Sequence, residues 1–94
     1  MISSENLTHL SDVFQALGNK ERLSIIQILD ESDKQFSSTE IIQMLGKPQS
    51  TVLRHLRLLS QADLIEMRKK GRQSLIFLKK ELLNNFFDAY RLKS

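Results

Sequence analysis

At 94 residues the chain is long enough for one modest core. It has 40% hydrophobic and 27% charged residues and no cysteine, which excludes disulfides and thiolate chemistry, and no run approaches the roughly 20 apolar residues of a membrane span. The net charge is only +3, but residues 47–80 hold nine basic and two acidic side chains (+7) while the remainder holds five and nine (−4), a distribution that points to a polyanion-binding face.

The first ten residues, MISSENLTHL, have neither a basic region nor an apolar run, so no signal peptide is expected. Leu7, Leu10, Phe14 and Leu17, with Val13 beside them, form an apolar stripe that predicts a helix over about 5–17. Gly18 is expected to end it, and Asn19 to cap a second helix over about 20–30. In that helix Leu23, Ile26 and Leu29 form the inward face, joined by Ile25 and Ile28. The charged stretch DESDKQ then reads as a loop.

FSSTEIIQMLG carries the signs of a short third helix, over about 37–45. Ser37 and Glu40 fit a capping box, Phe36 and Ile41 a hydrophobic staple, and Gly46 a stop. Lys47 and Pro48 open a fourth helix, over about 48–61, with proline in its first turn. Two helices across so short a connection make a helix-turn-helix. Residues 64–78 then read as a hairpin, with Lys70-Gly71 as its turn and a basic tip from Arg68 to Arg72. A last helix, about 81–92, carries a wide stripe of Leu82, Leu83, Phe86, Phe87 and Tyr90.

The fourth helix has two sides. At 100° per residue, Val52, Leu56 and Leu59 form the core stripe. Ser50, Arg54 and Arg57 lie on the opposite face, flanked by Thr51 and Leu58, with Lys47 and Gln61 near its ends. A pair of arginines on one helix is ordinarily a solvated face. Here it follows a capped helix and a tight turn, and it precedes a basic hairpin, which is the order a DNA reader needs. Arginine can grip guanine O6 and N7, Gln49 can pair with adenine, and Ser50 and Thr51 can bond bases or phosphates. Arg68, Lys69, Lys70 and Arg72 would track the backbone or minor groove, giving affinity rather than readout.

Three stretches together resemble the ArsR/SmtB family of bacterial winged-helix transcription regulators. VFQALGNKERLSIIQIL, from Val13 to Leu29, is similar to the family's opening motif. STVLRHLRLLSQADLI, from Ser50 to Ile65, is similar to its recognition-helix motif, and RKKGRQSLIFL to its wing. The resemblance implies a mainly α fold with a small β-hairpin, a winged helix-turn-helix. It implies residues 1–94 as a single DNA-binding domain with dimerisation helices at both ends. The partners it implies are double-stranded DNA, a second copy of the chain and an unknown small-molecule inducer, with no membrane. The activity it implies is repression at an imperfect inverted repeat, in the nucleoid of a bacterial cytoplasm. The dimer interface is then expected from Leu7, Leu10, Phe14, Leu83, Phe86, Phe87 and Tyr90. His55 corresponds to the family's structural histidine, and His9 is expected at the surface or the interface.

The chain departs from the family at several positions. Leu53 stands where serine is frequent and, half exposed, either packs on the preceding helix, the favoured reading, or touches a thymine methyl. Asp63 replaces the usual glycine before the first wing strand, in a turn conformation that aspartate tolerates. The family's metal-binding cysteines fall on Ser37 and Thr39, and hydroxyls are poor ligands for such metals. The last helix has no histidine. No metal, cofactor or thiol sensor is therefore expected. No catalytic residues are expected either, since no nucleophile–base set or phosphate-cradling glycine loop is present. The alternative function is a winged-helix protein-interaction module, of antirepressor or anti-activator type.

Overall fold

The computed structural model describes residues 4–89. Five helices and three strands follow in the order α1 (Ser4–Leu17), α2 (Lys20–Asp30), β1 (Phe36–Ser37), α3 (Ser38–Leu45), α4 (Gln49–Gln61), β2 (Ile65–Lys70), β3 (Gln73–Leu78) and α5 (Lys80–Ala89). The fold is thus mainly helical with a small antiparallel sheet, as expected. The expected continuation of α5 to about 92 lies outside the described residues.

Local chemistry sets most of these limits. The Asn19 side chain accepts from the amides of Glu21 and Arg22 at 2.9 and 3.1 Å, starting α2. Ser37 caps α3 in a full capping box: its hydroxyl accepts from Glu40 N, and its own N–H donates to Glu40 Oε1, both at 3.1 Å. Lys34 Nζ donates to the other Glu40 oxygen at 2.8 Å. Lys34 first, and the Ser37 amide next, hold the Glu40 carboxyl below its ordinary range. What that carboxylate contributes is present at neutral pH and fades as acid protonates it. The Ser37 hydroxyl is spent on this cap. Gly46 closes α3 at φ 63°, in the left-handed region that a glycine reaches without strain.

Several boundaries differ from expectation. Pro48 is not in the first turn of α4 but precedes it, at φ −56° and ψ 142°. The hairpin turn is Gly71-Arg72, one residue later than expected, because Lys70 pairs with Gln73. Gly71 supplies its φ of 63°. A third strand was not foreseen: Phe36 pairs with Ile76, and Ser37 with Leu75, giving the sheet order β1-β3-β2. Two residues carry no readable period, so β1 exists only through β3.

The core joins every layer. Ile25, Ile41, Val52, Leu56, Leu59 and Leu64 are each 0% exposed. The inward face of the hairpin adds Ile65 and Ile76, and Met67 and Leu78 pack against the cluster. Phe36 and Ile41, expected as a staple, are both buried in it. Two helix faces, those of α2 and α5, differ from expectation. Leu23 points outward at 49% exposure, and Ile25 and Ile26 take the inward face with Leu29. On α1, Val13 and Ala16 are buried and Leu10 and Leu17 pack on the core, but Leu7 and Phe14 are exposed. Leu83 is buried in the chain's own core, which leaves it little surface to offer a second copy.

Asp63 has φ 61°, the one non-glycine residue in the left-handed region among the described residues. It sits at the end of α4, where Leu64 N donates to Leu59 O and Asp63 N to Ser60 O, both at 3.0 Å. That is the Schellman pattern, in which glycine is favoured. Asp63→Gly should therefore raise stability by about 0.5–1 kcal/mol, the left-handed cost relieved less the entropy added to the unfolded chain. A chemical denaturation midpoint measures it.

Candidate nucleic-acid interface

The α3–α4 connection is three residues, Gly46 to Pro48. No side chain caps α4, in contrast to α2 and α3, so its first amides remain open to an external acceptor. Along α4 the burial follows the expected division. Val52, Leu56 and Leu59 are buried, and Ser50, Arg54 and Arg57 are exposed on the opposite side. Gln49 and Gln61 are exposed, while Thr51 and Leu58 are half-buried at the flanks. Leu53 is half-buried and packs against the core.

The orientation of α4 is fixed by a polar clamp that joins it to α1 and α2. His55 is 8% exposed, and its Nε2 lies 2.6 Å from Glu21 Oε2. Its Nδ1 lies 3.2 Å from Arg22 Nη1. Arginine can only donate, so Nδ1 accepts and Nε2–H donates to the carboxylate. Arg22 also donates from Nε to Ala16 O at 2.6 Å and from Nη2 to Gln15 O at 3.1 Å. One guanidinium thus satisfies two terminal carbonyls of α1 and holds the α4 imidazole. The hydrogen bond from His55 holds the Glu21 carboxyl below its ordinary range, against some opposing desolvation and with help from Lys47. The structural role expected for His55 is thus met by Glu21 and Arg22, neither of which was among the expected site residues. They stand 34 and 33 residues away from it. The available signal was the motif around Arg22.

The basic residues divide by whether the chain already uses them. Lys47 Nζ lies 3.6 Å from Glu21 Oε1, and Lys79 Nζ lies 3.8 Å from Asp63 Oδ1. Arg68 is held twice. Its Nη2 lies 2.9 Å from Glu66 Oε2, and its guanidinium stacks on the Phe77 ring at 4.5 Å. Glu66 keeps the Arg68 side chain above its ordinary pKa, so its charge is secure but already engaged. Arg54, Arg57, Lys69, Lys70 and Arg72 form no ion pair or side-chain hydrogen bond among the described residues. All five are exposed. Two unpaired guanidiniums thus stand on the outer face of α4, and three unpaired cations at the wing tip.

On the other expected surface, Leu7 and Phe14 of α1 are 55% and 49% exposed. The side chains of Phe86 and Phe87, and Tyr90 altogether, lie outside the described residues. Among the described residues, no helix is long and apolar enough to cross a membrane.

A capped helix, a short turn, an outward-facing basic helix and a basic-tipped hairpin define the winged helix-turn-helix class. Residues 17–68 match the family described as a helix-turn-helix domain. The chain belongs to that helix-turn-helix family. It is 31% identical over 74 residues to an uncharacterised HTH-type transcriptional regulator of Methanocaldococcus jannaschii, covering 79% of this chain and 82% of that protein. Among solved structures, an ArsR-like transcriptional regulator from Rhodococcus matches with a TM-score of 0.79 at 22% identity, over 96% of this chain and 81% of that one. The homodimeric winged helix-turn-helix DNA-binding domain of a possible ArsR-family regulator from Mycobacterium bovis matches with a TM-score of 0.77 at 22% identity, over 98% and 86% of the two chains. The resemblance to ArsR-family regulators drawn from the sequence is therefore met in the fold.

Proposed function

We propose that the protein is a dimeric, sequence-specific DNA-binding transcription regulator that represses by occupying an imperfect inverted repeat. The observation that carries this reading is the pair of unpaired, exposed guanidiniums, Arg54 and Arg57, on the face of α4 opposite its core stripe. A helix of this kind fits the major groove, and arginine is the side chain that reads guanine there in a bidentate way. Lys47, Gln49, Ser50 and Thr51, near the start of α4, complete the reading end. Lys69, Lys70 and Arg72 supply phosphate contacts from the wing, and Arg68 has a smaller part because Glu66 and Phe77 hold it.

The two-fold partner in this reading is a second copy, joined through α1 and α5. The exposure of Leu7 and Phe14 supports it, as does the homodimer formed by the Mycobacterium bovis relative in fold. The symmetry places two α4 helices about one DNA turn apart. Residues 1–94 act as one unit, in the bacterial nucleoid, without a metal or thiol sensor and without catalysis.

Titration of labelled genomic fragments with the protein over a range of salt tests the electrostatic part. Binding should weaken linearly on a log–log scale as salt rises. Lys70→Ala should weaken operator and random DNA by the same factor and reduce that slope by about one. Binding that is insensitive to salt would contradict the reading, and so would an acidic protein partner that occupies α4 where no DNA does.

A further inference from the structure

A cavity of about 300 Å³ opens beside the recognition helix, between α1 and α4. Ala16 and Ala62 are buried there, and half-buried Leu58 adds to an apolar floor. Around the floor stand Asp12 and Gln15 of α1, and Arg54 and Gln61 of α4. Arg22 also lines the cavity, but its guanidinium is spent on Ala16 O, Gln15 O and His55. Asp12 and Arg54 are different. Neither forms an ion pair or side-chain hydrogen bond among the described residues, although both border the same small space.

An acid and a guanidinium that share a cavity without neutralising each other match a ligand that carries both charges. The size is at the lower end of the roughly 300–1,000 Å³ of small-molecule sites, which suits one amino acid better than a nucleotide. A phosphate-bearing ligand would also meet the Asp12 carboxylate. We propose that this cavity binds a small amino-acid-like zwitterion, with its carboxylate on the Arg54 guanidinium and its ammonium on Asp12. The Gln15 and Gln61 amides supply further hydrogen bonds, and Leu58 takes a short apolar side chain.

The consequence rests on the function proposed above. Arg54 is the arginine expected to reach a base edge. A carboxylate that engages it in the cavity withdraws it from the groove. Ligand and DNA then compete for one side chain, and each weakens the other by the same factor. The zwitterion would be an inducer.

The test uses the full chain. Each L-amino acid is titrated by calorimetry without DNA, with acetate and methylamine as single-charge probes. Binding of at least one amino acid is expected, with each single-charge probe about tenfold or more weaker. Asp12→Asn should lose at least about tenfold in amino-acid binding, keep its melting temperature because Asp12 is exposed, and keep its DNA affinity. Addition of the amino acid should weaken DNA binding by the wild type and leave Asp12→Asn unaffected. No binding of any amino acid, or equal binding by Asp12→Asn, overturns the site. Amino-acid binding with unchanged DNA affinity overturns its role as an inducer site. Failure to bind any DNA would sink the proposed regulator, and the titration without DNA would still judge the site.

Discussion

Arg54→Ala is expected to lower operator affinity by about 1–3 kcal/mol, roughly 5- to 150-fold, and to relax discrimination at one base-pair position. The magnitude follows from what the side chain does in the free protein. Arg54 has no partner among the described residues, so none of its donors must be released before it meets DNA. The helix that carries it is held on the opposite side by Val52, Leu56 and Leu59 and at the margin by His55. That mounting limits the freedom lost on binding. For the same reason the substitution should leave the melting temperature unchanged. Anisotropy titrations on the operator and on its single-base variants measure the effect. Loss by the same factor on operator and random DNA would make Arg54 a phosphate contact. Arg68→Ala should cost less affinity, since Glu66 and Phe77 already occupy its guanidinium.

Leu56→Ala addresses the other side of the same helix. Leu56 is 0% exposed and stands in the middle of the α4 core stripe. Truncation removes three buried carbons and leaves a void among side chains from several elements. The expected cost is about 2–5 kcal/mol. A domain of this size has about 5–15 kcal/mol in total, so the loss is a large share of its stability. The melting temperature should fall by about 10 °C or more. Thermal unfolding followed by circular dichroism measures it. A cost below about 1 kcal/mol would mean that the neighbours collapse into the void, contrary to the close packing described. The two substitutions should thus dissociate: one removes affinity at full stability, the other removes stability from a helix whose outer face is intact.

The parts legible in the sequence are those written in local chemistry. Asn19, Ser37 with Glu40, and Gly46 set helix ends through bonds within a few residues, and each does so in the structure. The division of α4 into a core stripe and a basic face followed from its helical period alone. The hairpin followed from alternation, although its turn moved by one residue, because Gly71 suits either of two adjacent turn positions. What was not legible depends on distant contacts. The strand Phe36–Ser37 has no period to read and is created by Leu75 and Ile76. Leu23 looked inward because α2 is apolar on several sides, and only its neighbours decide which apolar residues are covered. The Glu21–His55–Arg22 clamp joins residues more than thirty positions apart. The holding of Arg68 over Phe77 depends on strand register, since Glu66 faces Phe77 and Arg68 lies diagonal to it. Composition at the wing tip shows four cations, and only the register shows which of them is already held.

In the function proposed here the outer face of α4 reads DNA in a two-fold symmetric complex. Selection of genomic fragments by the purified protein, followed by sequencing of what it retains, tests this most directly. Enrichment of an imperfect inverted repeat with half-site centres about 10 base pairs apart is expected, and loss of that enrichment, with residual binding retained, when Arg54 and Arg57 are both alanine. Fragments retained without a shared sequence, or no retention at low salt, would contradict it.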